Sequence, residues 1–129
     1  EMLPLCRSEG LAVITFSPLA RGRLARASTD TSSRSETDAV TKRFYGATEE
    51  ADRKVVEAVT RVAERRGVPR AHIAMAWVAQ KPGVTAPIIG ATKQKHFDDA
   101  LAALSLKLTP DEVAELEEPY VPHAVVGLN

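Results

Sequence analysis

The stretch LAVITFSPLARGRL, residues 11–24, decides how this chain is read. Residues 11–16 form an apolar run rich in β-branched and aromatic side chains, which predicts a strand. Ser17-Pro18 stops it, and the chain enters a loop with one glycine and two arginines. A nearly continuous apolar run, without in/out alternation, predicts a parallel strand covered on both faces. VTAPIIG, residues 84–90, has the same character, although Pro87 lacks a backbone donor.

Working outward, EEADRKVVEAVTRVAERR (49–66) predicts a helix with Val55, Val59, Val62 and Ala63 on one face and Gly67 as its stop. PRAHIAMAWVAQ (69–80) predicts a second helix with an Ile73, Ala76, Trp77 stripe, ended by Pro82-Gly83. TKQKHFDDALAAL (92–104) predicts a third, capped by Thr92. TPDEVAELEE (109–118) predicts a fourth, with Thr109 as N-cap, Pro110 at the first helical position and Glu112 completing a capping box. EMLPLCRSEG (1–10) reads as the end of a helix closed by Gly10, and Glu1 is not an initiator methionine. The chain is therefore expected to begin part-way through a longer protein. The Ser/Thr-rich loop at about 25–48 exceeds the roughly 15 residues of an ordinary connector and reads as a lid, a binding loop or disorder.

Strand, helices, strand, helix is the order of a βαβ unit, hence an α/β fold with a parallel sheet. Two strands leave unpaired edges. The rest of the sheet is expected from elsewhere, and the piece alone is expected to self-associate through those edges.

The 129 residues suit one domain, with 44% hydrophobic and 26% charged residues. Basic and acidic residues number 17 each. That balance disfavours nucleic acid or an anionic membrane as partner. No apolar run approaches the roughly 20 residues of a membrane span. A single cysteine and no basic-then-apolar leader give the expectation of a reducing, cytoplasmic setting.

In parallel α/β folds the loops after strand carboxyl ends build the ligand site. SPLARG occupies that place, with a hydroxyl at Ser17, a direction fixed by Pro18, bare amides approachable at Gly22, and charge at Arg21 and Arg23. That set suits a phosphate. IIGATK leads through Gly90 into a helix start with Lys93 in its first turn, a second anion-friendly feature. Two such loops on neighbouring strands imply a ligand with two phosphates, such as a dinucleotide. SPLARG alone reads equally well as an ordinary turn leaving a strand.

The motifs FSPLARGRL, RSETD, GVPRAHIAMAWVAQKPGVTAPIIGATK, DDALAAL and LTPDEVAELEEPYVPH, in this order, resemble the C-terminal portion of the aldo-keto reductases. The resemblance covers nearly the whole chain and looks closest to the bacterial branch related to potassium-channel β subunits. It implies the seventh and eighth βα units and the C-terminal helix of a (β/α)8 TIM barrel, one fragment over 1–129. It also implies NADP (NADPH) as cofactor and an oxidoreductase reducing small-molecule aldehydes and ketones by hydride transfer.

By the same resemblance, Phe16 stacks on the nicotinamide, without the hydroxyl of the common tyrosine. Ser17, Pro18, Leu19, Gly22 and Arg23 lie in the pyrophosphate loop, and Arg34 reaches a phosphate from a clasp over the cofactor. Ile89, Gly90, Thr92 and Lys93 approach the adenosine ribose and its 2′-phosphate. His96 lies beside the adenine and Asp99 contacts its amino group, while Ala100 departs from the frequent asparagine. The catalytic Asp, Tyr, Lys and His of the family have no counterpart here, since Tyr45 and Tyr120 stand in other contexts. The chain would then hold cofactor yet be inactive alone.

Plainer readings stand beside these. His72, His96 and His123 lack metal-ligand spacing and read as surface or loop histidines. Cys6 and Trp77 read as packing residues. Asp98-Asp99 reads as solvated helix surface, from which the resemblance lifts Asp99 alone. Two alternatives to the enzyme remain: a non-catalytic cofactor-binding or partner module, and a DNA-reading helix-turn-helix around VPRAHIAMAWVAQKPG, which the neutral charge disfavours.

Overall fold

A computed structural model of the chain describes residues 1–25 and 48–122. In order they form α1 (Met2–Ser8), β1 (Ile14–Thr15), a 3-10 turn (Ala20–Gly22), α2 (Glu49–Arg66), α3 (Arg70–Gln80), β2 (Ala86–Pro87), α4 (Gln94–Ser105) and α5 (Pro110–Glu117). Most of the expected long loop, with Arg34 and Tyr45, and His123 lie outside the described residues.

The two strands pair in parallel, Ile14 opposite Ala86 and Thr15 opposite Pro87. Thr85 N–H donates to the Val13 carbonyl at 2.8 Å and Ile88 N–H to the Thr15 carbonyl at 2.7 Å. The predicted βαβ order is present, but the strands are shorter than 11–16 and 84–90. Pro87 has no N–H for the ladder, and the Val13 amide is taken by the Thr85 hydroxyl at 3.0 Å. Cover on both faces is not found among the described residues. Burial alternates along β1, with Val13 and Thr15 half-buried and Ile14 and Phe16 exposed. Helix α3 packs on β2. The face carrying Ile14 and Phe16 stays open among the described residues.

Helix α2 opens on Glu49, Glu50 and Asp52 and closes on Arg65 and Arg66, charges that suit the helix dipole at each end. Gly67 ends it with φ 62°, a conformation that costs glycine little. The Gly67 and Val68 amides close on the Glu64 and Ala63 carbonyls at 3.1 Å each. The buried face of α2 is Ala58, Val59, Val62 and Ala63, with Val55 half-buried at its margin.

Helix α3 departs from the expected stripe, because it is buried around most of its circumference: Ala71, Ile73, Ala74, Met75 and Ala76. The reason is its central place. On one side Ile73 joins Ala58, Val59, Val62, Ala63 of α2 and Leu116 of α5. On another, Ala71 and Met75 join Ala103 of α4, with Leu19 and Ala25 packed against them. Fully burying a side chain such as Ile73 or Val62 contributes about 1.5–3 kcal/mol. Helix α3 has no exposed residue along its length.

Helix α5 forms as its capping box dictates. Thr109 accepts from the Glu112 amide at 3.2 Å, and Glu112 accepts from the Thr109 amide at 2.8 Å. Arg66 of α2 grips the same carboxylate through Nε and Nη2, both at 2.6 Å. The Arg66 guanidinium, helped by the Thr109 amide, holds the Glu112 carboxyl at about 2 against an ordinary 4.5. A depressed carboxyl stabilises the fold fully above its unfolded value, and the contribution disappears as pH falls through the folded one. Glu112→Gln keeps an acceptor for the cap but removes the charge. Thermal melts between pH 7 and 2 should therefore show the variant less stable than wild type near neutrality, with the gap closing from pH 4.5 down to about 2. A gap unchanged by pH would rule out the charge as its source.

Candidate functional site

The parallel register sets the site. With Thr15 opposite Pro87, the loops that follow the two strands leave from the same end of the sheet. Ser17 and Gly90 thus share one rim, at the carboxyl ends where α/β folds bind ligands. The segments 16–25 and 88–96 bring Arg21, Arg23, Lys93, Lys95 and His96 and contain no acidic residue, although the chain as a whole has zero net charge.

In the first loop Phe16 is 79% exposed, leaving its ring open to contact. Ser17, Ala20 and Arg21 hold φ of 54°, 46° and 56°, and Gly22 follows at 94°. Left-handed backbone at non-glycine residues costs about 1–3 kcal/mol each and concentrates at functional sites. Leu19 and Ala25 hold this turn by packing against Ala71, Met75 and Ala103.

The expected bare amides need correcting. Ala20 N–H donates to the Ser17 carbonyl, Arg21 to Ser17 Oγ, Gly22 and Leu24 to the Leu19 carbonyl, Arg23 to Ala20, and Ala25 to Gly22. A tight turn satisfies its own donors first. The side chains of the loop offer an anion the Ser17 hydroxyl hydrogen and the Arg21 and Arg23 guanidinium groups. Arg23 Nη2 lies 3.9 Å from Asp52 Oδ2, which ties it to the first turn of α2. Pro18 is half-buried between the strand end and this turn.

In the second loop Ile89 and Gly90 are exposed, and a Cβ built on Gly90 meets nothing within 4 Å. Thr92 does not cap α4. Lys93 is the N-cap, extended at φ −138° and ψ 151° and without a side-chain cap bond. The chain stays extended one residue further than expected, and Thr92 turns to His96 instead, its N–H and Oγ1 both 3.4 Å from Nδ1. Lys93 accordingly stands before the first turn rather than within it. Its charge still sits at a helix N-terminus, the positive end of the dipole. Thr92, Lys93 and His96 are exposed.

Asp99 is not solvated surface. His72 Nε2 of α3 lies 3.0 Å from its Oδ1, and Lys95 Nζ lies 3.0 Å from both carboxylate oxygens. The His72 contact, with Lys95 beside it, holds the Asp99 carboxyl below the usual carboxylate range. His72, read from sequence as a surface histidine, is thus the partner of Asp99. Nothing local announces the pair, which joins two helices across 27 positions. Trp77 packs as expected: its Nε1–H donates to Glu117 at 2.9 Å and Lys81 lies 4.8 Å over its ring. Among the described residues no three His, Cys, Asp or Glu side chains could hold a metal, and no helix is long and apolar enough to cross a membrane.

The pattern characteristic of the aldo/keto reductase family matches residues 1–120. This chain belongs to the aldo/keto reductase family. Versiconal hemiacetal acetate reductase of Aspergillus parasiticus is 39% identical over 127 residues, which make up 97% of this chain and 37% of that protein. Aldo-keto reductase dtxS3 of Metarhizium robertsii is 38% identical over 129 residues, 98% of this chain and 34% of its own length. The chain therefore spans about a third of these aldo/keto reductases. Both are fungal and lend no support to the bacterial branch related to potassium-channel β subunits. Among solved structures, the thermostable aldo-keto reductase Tm1743, crystallised with the inhibitor epalrestat, superposes with a TM-score of 0.62. It is 23% identical, and the match covers 92% of this chain and 33% of that one, a likeness of fold.

Proposed function

We propose that this chain is the coenzyme-holding, C-terminal part of an NADP-dependent aldo/keto reductase: the seventh and eighth βα units and closing helix of a (β/α)8 barrel. The observation that carries the reading is the shared rim. Two loops with cationic side chains and no carboxylate leave adjacent parallel strands of an aldo/keto reductase chain. The donor set fits a phosphorylated coenzyme. Ser17, Arg21 and Arg23 would hold the pyrophosphate, with Arg34 reaching over it. Thr92 and Lys93 would hold the 2′-phosphate, and the space at Gly90 would admit the ribose. Phe16 offers a ring face to the nicotinamide, and His96 and Asp99 flank the adenine.

The bound coenzyme supplies a hydride to the carbonyl of a small aldehyde or ketone. This chain's residues orient it by its phosphates and base. The proton for the developing alkoxide comes from a tyrosine in preceding sequence of a longer polypeptide, acting in the cytoplasm. Cut off from that sequence, the chain self-associates through its open strand edges.

Fluorescence titration with NADPH, followed by an aldehyde-reduction assay, tests the reading. Binding without turnover is expected. Turnover by these residues alone would overturn the assignment of catalysis elsewhere, and no NADPH binding would overturn the coenzyme role. If the longer polypeptide also binds without turnover, the chain serves a non-catalytic coenzyme-binding module.

A further inference from the structure

We infer that His72 is a positioning residue for base recognition: it fixes Asp99 so that one carboxylate oxygen faces the coenzyme's adenine amino group. The inference rests on the coenzyme reading above and adds a residue to it. Asp99 stands on α4 and His72 on α3, and their side chains are only 18% and 14% exposed. A carboxylate offers roughly four lone-pair directions. His72 and Lys95 both engage Oδ1, and Lys95 alone engages Oδ2. The remaining acceptor direction therefore belongs to Oδ2.

The two partners are unequal. Lys95 is 73% exposed and lies one turn from Asp99 on the same helix, a pairing that contributes little and yields easily to water. His72 is anchored on the central helix between buried Ala71 and Ile73. It alone ties the Asp99 rotamer to a second element. A carboxylate held this way accepts and cannot donate. It favours adenine, whose exocyclic amine donates, over hypoxanthine, whose carbonyl in that place would face it with lone pairs.

The test compares dissociation constants of NADPH and its hypoxanthine analogue, reduced nicotinamide hypoxanthine dinucleotide phosphate, on the chain and its variants. Wild type should prefer the adenine form about tenfold. Asp99→Asn, whose amide can donate or accept, should bring the ratio near one. His72→Phe, similar in shape but without a donor, should do nearly the same, while His72→Gln restores most of the preference. A general loss of structure would weaken both ligands together and leave the ratio alone. If His72→Phe fails to fold, His72→Asn, whose amide stops short of Asp99, replaces it. A full preference in the His72 variants with none in Asp99→Asn would overturn the role of His72 and leave the coenzyme reading standing. A full preference in Asp99→Asn would remove Asp99 from the base and the inference with it. Absence of NADPH binding by wild type would bring down the coenzyme reading itself.

Discussion

At concentrations on the order of 10 μM, the chain should sediment as a dimer or larger species, and Ile14→Lys should shift most of it to monomer. The sheet has two strands, so each strand has one partner and one open edge among the described residues. The side chains beside those edges are apolar: Ile14 is 64% exposed, and Leu11, Phe16 and Ile88 are exposed with it. Folded proteins seldom leave flat apolar strands unpaired, since their free N–H and C=O groups template a further strand. Two copies meeting strand to strand satisfy those groups and remove apolar surface from water at about 25 cal/mol per Å². A lysine at position 14 keeps the backbone donors but places like charges where the copies meet, a device natural edge strands use against association. Tyr120→Lys is the control. Tyr120 is exposed and follows α5, which packs on α2, so its replacement should leave the association largely intact. Analytical ultracentrifugation of the three proteins decides. A compact, cooperatively unfolding monomer from wild type would sink the proposal, and monomerisation by Tyr120→Lys alone would move the interface to the end of α5.

What could be read in the sequence was what local chemistry determines. Thr109, Pro110 and Glu112 decide the start of α5 within four residues, and the structure has that capping box intact. Gly67 ends α2 because its φ of 62° is one that side chains oppose. Two apolar runs announced two parallel strands. The rest depends on what lies next to what. Periodicity assigns a helix one buried face, whereas α3 lies between α2 and α4 and buries nearly all of its surface, so Ala71, Ala74 and Met75 escaped the predicted stripe. Thr92 has the right chemistry for an N-cap, yet His96 one turn on draws its hydroxyl and amide. The loop after β1 carries the hydroxyl and cationic side chains that its sequence spells out. Its amides were misjudged, because the three left-handed residues that let the turn bond to itself carry ordinary side chains. The pairing of His72 with Asp99 required two helices to be packed before it existed at all.

Gly90→Val should weaken NADPH binding at least about tenfold, or ~1.4 kcal/mol, without moving the melting temperature. The two rim glycines differ in a way that makes Gly90 the sharper probe. Gly22 has φ 94°, so any side chain there strains the backbone, and lost binding after Gly22→Val could reflect a distorted turn. Gly90 is not among the positive-φ residues, and an added Cβ meets no atom within 4 Å. Valine suits extended backbone leaving a strand, so the protein itself has no reason to object. Only something arriving from outside can register the two extra methyl groups. If the ribose and its phosphate pass over Gly90, those methyls occupy their path, and the loss should grow in the order Gly90→Ala, then Gly90→Val. Calorimetric titration with NADPH, set beside thermal melts of each variant, separates the two effects. Wild-type affinity in Gly90→Val would place the coenzyme away from this rim. It would also remove Thr92 and Lys93 from the 2′-phosphate, since both lie within three residues of Gly90 on the same exposed segment.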